Sequence, residues 1–161
     1  MPHNPGRRVL VLAHTGREDA ISAALQATRI LEEEGLVSVM LEQDVAAIRE
    51  NADAPAGFAP QTLGVDCGLE DIVLGLVLGG DGSVLRAADF VRGYVVPLLA
   101  VNLGHVGFLA ESERTDLQRT VQAIASEAYV VIERMALDVV VRVEGREVAR
   151  TWALNEASVE K

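Results

Sequence analysis

Aliphatic residues come in short unbroken runs through most of the chain and in strict alternation near its end. The run Val9 to Ala13 has no polar interruption, which predicts a parallel strand covered on both faces. Beyond the turn residues Thr15 and Gly16, Ile21, Ala24, Leu25, Thr28 and Leu31 recur at helical spacing, and Gly35 supplies a stop. That pattern predicts a helix of about 18 residues. Leu36 to Leu41 reads as a second strand, whereas Asp44 to Gly68, punctuated by Pro55, Gly57, Pro60, Gly64 and Gly68, reads mostly as loop. Ile72 to Leu78 is a further strand that stops abruptly at Gly79-Gly80-Asp81-Gly82-Ser83. Val84, Ala87, Ala88 and Val91 then follow a helical period, and Val95 to Val101 is another strand, ending before a second turn, Gly104-His105-Val106-Gly107. Glu113 to Glu127 reads as a helix with Leu117, Val121 and Ile124 on one face.

Strand and helix in alternation predict an α/β fold, a doubly wound and mostly parallel sheet with right-handed crossovers. The pattern then changes. Leu137, Val139, Val141 and Val143 alternate with other residues, and after Glu144-Gly145-Arg146 the two-residue period resumes through Val148, Arg150, Trp152 and Leu154, which predicts an antiparallel hairpin. A boundary is therefore expected near Ala128, with an α/β domain over 1–127 and the start of an incomplete β-rich domain over 128–161. A lone hairpin leaves edges and an apolar face uncovered.

Charge narrows the range of partners. The chain has 24 acidic against 14 basic residues, a net charge of -10, which on the whole-protein scale repels nucleic acid and anionic membrane. An anionic ligand must be held by local chemistry. The apolar runs are well short of the roughly 20 residues that span a bilayer, and the stretch behind Arg7 and Arg8 is too short for an export signal. Cys67 is the single cysteine, so no intramolecular disulfide can form. A cytoplasmic location is the expectation.

The strongest chemical signal is the turn at residues 79–83, at the carboxyl end of a central strand, where open α/β sheets bind their ligands. Gly79, Gly80 and Gly82 allow a phosphate to approach main-chain N–H groups, and the start of the following helix favours an anion. A carboxylate at Asp81 should repel phosphate, so it needs another reason to be there. It can take a proton from an attacking hydroxyl, help to hold magnesium, or simply cap the helix. Arg86, one turn on, can offer a guanidinium to phosphate oxygens. The turn is not a P-loop, since no Gly-Lys-Ser/Thr follows, and Leu85 stands where a dinucleotide fingerprint has its third glycine. His14 is either a phosphate contact or a polar strand cap, and no His, Cys and carboxylate spacing suggests a metal site built by the protein.

Gly79-Gly80-Asp81-Gly82-Ser83 resembles the Gly-Gly-Asp-Gly-Thr signature of NAD kinases, shared in looser form with phosphofructokinases and diacylglycerol and sphingosine kinases. Val101 to Ala110 resembles a second segment of the NAD kinase family and Ala153-Leu154-Asn155-Glu156 a third, in the family's order. Val11 to Arg17 is similar to actinobacterial members. Ser83 departs from the usual threonine, keeping the hydroxyl and losing a methyl. Phosphofructokinase can carry serine there, but the glycine-rich turn expected after its first strand is replaced by His14-Thr15-Gly16-Arg17.

The resemblance implies a Rossmann-like, phosphofructokinase-like fold and transfer of the terminal phosphoryl group of ATP, or of polyphosphate, to the 2′-hydroxyl of the adenosine ribose of NAD. It implies Asp81 as the base, Gly79, Gly80, Gly82, Ser83 and Arg86 around phosphates, Asn155 and Glu156 on the bound nucleotide, and Phe108 against a base, although Phe108 also fits a core position. Magnesium, or another divalent cation, would accompany ATP, and the full-length protein would be a homo-oligomer. Two other readings stay open: another kinase of the same superfamily, acting on a lipid or sugar phosphate, and a non-catalytic nucleotide-binding module. The isolated chain 1–161 is expected to be inactive, because much of the NAD pocket belongs to the family's second domain. Purified 1–161 given NAD and MgATP should form no detectable NADP, and any NADP seen by chromatography would overturn that expectation.

Overall fold

The computed structural model describes residues 6–50, 54–103, 112–113 and 116–158. The chain forms two compact units, Met1–Tyr129 and Val130–Lys161. In the first, strands β1 (Arg8–Ala13), β2 (Val37–Met40), β3 (Gln61–Thr62), β4 (Ile72–Leu78), β5 (Leu98–Asn102) and β6 (Ser112–Glu113) join into one sheet in the order β3-β2-β1-β4-β5-β6. Every pairing in it is parallel. Helices α1 (Glu18–Glu33), α2 (Glu42–Arg49), α3 (Asp81–Phe90) and α4 (Leu117–Ala125) complete the unit.

The unbroken aliphatic runs are explained by cover on both faces. Val9 and Val11 of β1, with Leu74, Leu76 and Leu78 of β4, pack with Ile30 and Leu31 of α1, Ile48 of α2 and Val121 and Ile124 of α4. Leu10 and Leu12 of β1, with Val77 of β4 and Ala100 of β5, belong to a second core with Val84, Ala87 and Val91 at α3. The fold is thus doubly wound, as the strand and helix alternation predicts. Ala20, Ala23, Ala24 and Ala27 are at most 1% exposed, so α1 presents methyl groups to the sheet and can lie close to it.

Helix α1 stops where Gly35 adopts φ +74°, a left-handed conformation that glycine enters without a Cβ penalty. There the Leu36 amide donates to the Leu31 carbonyl and the Gly35 amide to that of Glu32, closing the last turn. Three features differ from the sequence expectation. Helix α2 occupies the start of the stretch read as loop; it is short and buries only Asp44, Val45 and Ile48, too few apolar positions to show a period. The run from Val95 becomes strand only at Leu98: Val95 is fully exposed and the ladder begins with the Pro97 carbonyl accepting the Gly75 amide. Glu113 pairs with Asn102 in β6 instead of opening a helix, so α4 is shorter than expected.

A tether links the start of the chain to α4. The Arg7 guanidinium donates to the carbonyls of Ile124 and Ala125 at 2.7 and 2.8 Å and also pairs with Glu127. A cation bonded to the last carbonyls of a helix satisfies orphan acceptors and opposes the negative end of the dipole.

The second unit contains β7 (Ala136–Val143) and β8 (Arg146–Leu154), an antiparallel hairpin. Its turn residues Glu144 and Gly145 both have positive φ, 49° and 77°, the type I′ geometry that matches strand twist. None of the described residues from 130 to 158 is buried, and Val130, Val131, Ile132, Met135, Val141, Val143 and Val148 are exposed.

Arg7→Ala should remove the tether to α4 and lower the unfolding free energy by about 1–2 kcal/mol. Urea titration followed by circular dichroism reads this directly, and an unchanged midpoint would show the contact to be inert.

Candidate nucleotide site

The site is built where β4 runs out. Leu78 is fully buried, and the Gly79 amide donates to the Val101 carbonyl at 3.0 Å, fastening the turn to β5. Gly80 is the N-cap of α3, with φ −91° and ψ −169°, and its carbonyl accepts the amides of Ser83 (2.9 Å) and Val84 (3.2 Å). Asp81 is the first helical residue and is half-buried. The capping position that the sequence left open for Asp81 is therefore occupied by Gly80. The carboxylate stands at the sheet's carboxyl edge, on the positive end of α3.

The three glycines before and after Asp81 have different reasons to be glycine. A Cβ on Gly79 would lie 2.4 Å from Ser83 Oγ and 2.8 Å from Ser83 Cβ. The hydroxyl can rotate away but the Cβ cannot, so packing alone demands glycine there. Around Gly80 and Gly82 no described residue beyond their chain neighbours and the helix's own backbone comes within 4 Å of such an atom, and neither has a positive φ. Neither the core nor the backbone conformation requires glycine at those two positions.

Beside this turn is a cleft of about 300 Å³, lined by Ala13, His14, Thr15 and Gly16 at the end of β1, Leu41, Gln43 and Asp44 at the start of α2, and Ser83, Arg86 and Phe90 on α3. It lies at the carboxyl ends of β1, β2 and β4, where the strand order reverses, the place at which doubly wound sheets bind ligands. Asp44 is only 8% exposed. The Thr15 hydroxyl donates to its Oδ1 at a long 3.4 Å. Burial pushes the Asp44 carboxyl above the ordinary carboxylate value, and the Thr15 hydroxyl and the Arg86 charge oppose that rise.

Of the residues singled out in the sequence, Gly79, Gly80, Asp81, Gly82, Ser83 and Arg86 share one turn and the first turns of α3, and Ser83 and Arg86 also face the cleft. Asn155 and Glu156 follow β8 in the second unit. There Asn155, at φ 69°, donates its amide to the Met135 carbonyl at 2.8 Å, and the Glu156 amide donates to that of Leu154. Phe108, and most of the Val101 to Ala110 segment, lie outside the described residues. Sequence reading missed Asp44, Gln43 and Phe90. Asp44 had one available signal, an acidic residue shortly after the second strand of an α/β sheet.

A parallel sheet covered by helices on both faces, with a glycine turn and a cleft at its reversal, places the first unit in the doubly wound α/β class. Residues 9–129 match the family described as the ATP-NAD kinase N-terminal domain, and the chain belongs to that family. It is 47% identical over 159 residues to the NAD kinase of Leifsonia xyli subsp. xyli, covering 96% of this chain and 50% of that protein. It is 45% identical to NAD kinase 2 of Streptomyces avermitilis over 163 residues, covering all of this chain and 52% of the relative. The chain thus spans about half the length of these curated relatives. The fold is also that of yeast NADH kinase crystallised with NADH, with a TM-score of 0.70 at 21% identity, over 94% of this chain and 47% of the yeast one.

Gly79→Ala should lower stability by about 1–3 kcal/mol, whereas Gly82→Ala, inside the first turn of α3, should leave it unchanged or raise it by up to about 1 kcal/mol. Thermal melts of the two variants decide this, and equal losses would contradict the packing account. The Asp44 carboxyl, raised on folding, contributes stability at low pH that is lost as pH rises through its folded value. Asp44→Asn should therefore gain stability over the unsubstituted chain as pH climbs from about 4 toward neutrality. Parallel denaturation curves across that range provide the check, and a constant difference would refute it.

Proposed function

We propose that this chain is the phosphate-handling part of an NAD kinase, which moves the terminal phosphoryl group of ATP or polyphosphate to the 2′-hydroxyl of the adenosine ribose of NAD. Membership of the family supports the reading. The single observation that carries it is that Gly80 and Gly82 are glycine with no packing or conformational need, beside a carboxylate at the start of α3. Such a surface lets phosphate come close to main-chain amides while an adjacent base meets an alcohol.

In the proposed step Asp81 accepts the proton of the 2′-hydroxyl as its oxygen attacks the γ-phosphorus. The bond from that phosphorus to the bridging oxygen of ADP breaks, and ADP leaves with the electron pair. Arg86 and the amides of the turn balance charge on the phosphate oxygens. Asn155 and Glu156 would exchange hydrogen bonds with the ribose of NAD, and Phe108 would lie against a base. Magnesium neutralises phosphate charge when it arrives with ATP. It keeps much of its coordination to phosphate and water, which leaves Asp81 to act as the base.

NAD, ATP and magnesium are therefore the proposed small-molecule partners, with neither nucleic acid nor membrane among them; the net charge of -10 supports this. No helix among the described residues is long and apolar enough to cross a membrane. A cytoplasmic location and association into a homo-oligomer belong to the same proposal.

The reading is tested by placing this chain in the Leifsonia xyli subsp. xyli NAD kinase in place of the matching half. The chimera should convert NAD to NADP, and Asp81→Asn in it should lower kcat by about 10²–10⁴ with little change in KM. A chimera that phosphorylates a sugar phosphate or a lipid instead, or one whose turnover survives Asp81→Asn, would refute the assignment.

A further inference from the structure

Asp44 has no part in the chemistry just described, yet it is a buried carboxyl lining an open cleft. Inside the protein it has a long bond from Thr15 and a through-space attraction to Arg86, modest compensation for the water it has lost. A carboxylate accepts hydrogen bonds and donates none, so a molecule that completes it must bring hydroxyl or amino donors. The same cleft carries Ser83 and Arg86 on α3, groups suited to phosphate. Donors on one wall and phosphate on the other describe a nucleotide, whose ribose diol lies next to its phosphate chain. Asp81 is not among the residues lining this cleft, so the cleft is considered as the donor's place and not as that of the ribose the proposed base attacks.

Resting on the kinase reading above, we infer that Asp44 is the specificity residue of the phosphoryl-donor subsite, accepting hydrogen bonds from the ribose diol of ATP while Arg86 and Ser83 hold its phosphates. Its position fits that role, because α2 begins two residues after β2 ends and its first turn carries Asp44 to the rim at the strand reversal. In other doubly wound sheets an acidic residue beyond the second strand meets a ribose in the same way. Leu41 and Phe90 line the same cleft and can shield the sugar from water. The consequence is donor choice. A polyphosphate chain has nothing to offer Asp44 and is repelled by it, so the carboxylate favours ATP over inorganic polyphosphate.

The test is equilibrium binding to the 161-residue chain by calorimetry, with MgATP, magnesium 2′,3′-dideoxy-ATP and magnesium tripolyphosphate as probes. Asp44→Asn should weaken ATP about tenfold, leave dideoxy-ATP unchanged, and leave tripolyphosphate unchanged or slightly tighter. On the unsubstituted chain dideoxy-ATP should bind about tenfold more weakly than ATP, a comparison that involves no variant and so no question of folding. Dideoxy-ATP binding as tightly as ATP, or equal losses of ATP and tripolyphosphate in Asp44→Asn, would overturn the role of Asp44 and leave the kinase reading intact. Failure of the unsubstituted chain to bind any of the three would overturn the donor subsite altogether.

Discussion

A parallel sheet can close its core only if each strand returns through a crossover of the same hand, and here that rule acts in two directions from the centre. From β1 the chain moves outward through α1 to β2, and from β4 it moves the other way through α3 to β5. With one handedness, opposite directions place the two helices on opposite faces, as the two separate cores record. Between β1 and β4 no helix can cross over the carboxyl ends of the strands. A crevice is left there by construction, lined by Asp44, Ser83 and Arg86, with the glycine turn beside it.

Within that crevice the local chemistry runs against the character of the whole protein. A chain of net charge -10 is a poor long-range attractor of nucleotides. What it offers instead is short-range: room for close approach around Gly80 and Gly82, the positive end of α3, and a guanidinium one turn further along. These contacts act over a few ångströms, where screening by water is reduced. Binding at such a site depends on fit more than on steering, which suits a choice among anions of similar charge.

Several features of the site go against folding alone. Burial raises the Asp44 carboxyl, a choice that a neutral side chain would avoid. Gly82 sits inside the first turn of α3, where alanine would be the better helix former and has room. Gly79 is the contrast, a glycine required by the closeness of Ser83 and so equally at home in a protein with no ligand. Separating the two kinds of glycine turns a motif into a statement about which atoms a ligand must reach.

The sequence by itself determined the class of the fold, because unbroken aliphatic runs such as Val9 to Ala13, alternating with helical periods, fit strands covered on both faces. It also determined the hairpin, through alternation and the Glu144-Gly145 turn, and it marked residues 79–83, since glycines and a carboxylate packed so tightly at a strand end are chemically conspicuous. It did not reveal α2, whose eight residues bury only Asp44, Val45 and Ile48 and so show no readable period. The start of β5 was misread as well: Pro97, which has no N–H for a ladder, stands between Val95 and Leu98, and pairing with β4 begins only at Leu98. Asp44 stood in the sequence at a suggestive place, shortly after β2, but its burial became visible only in three dimensions. Its meaning depends on what water it loses and what it faces across the cleft, and both are set by residues from about 30 to 40 positions away in sequence, brought together by the order of the strands.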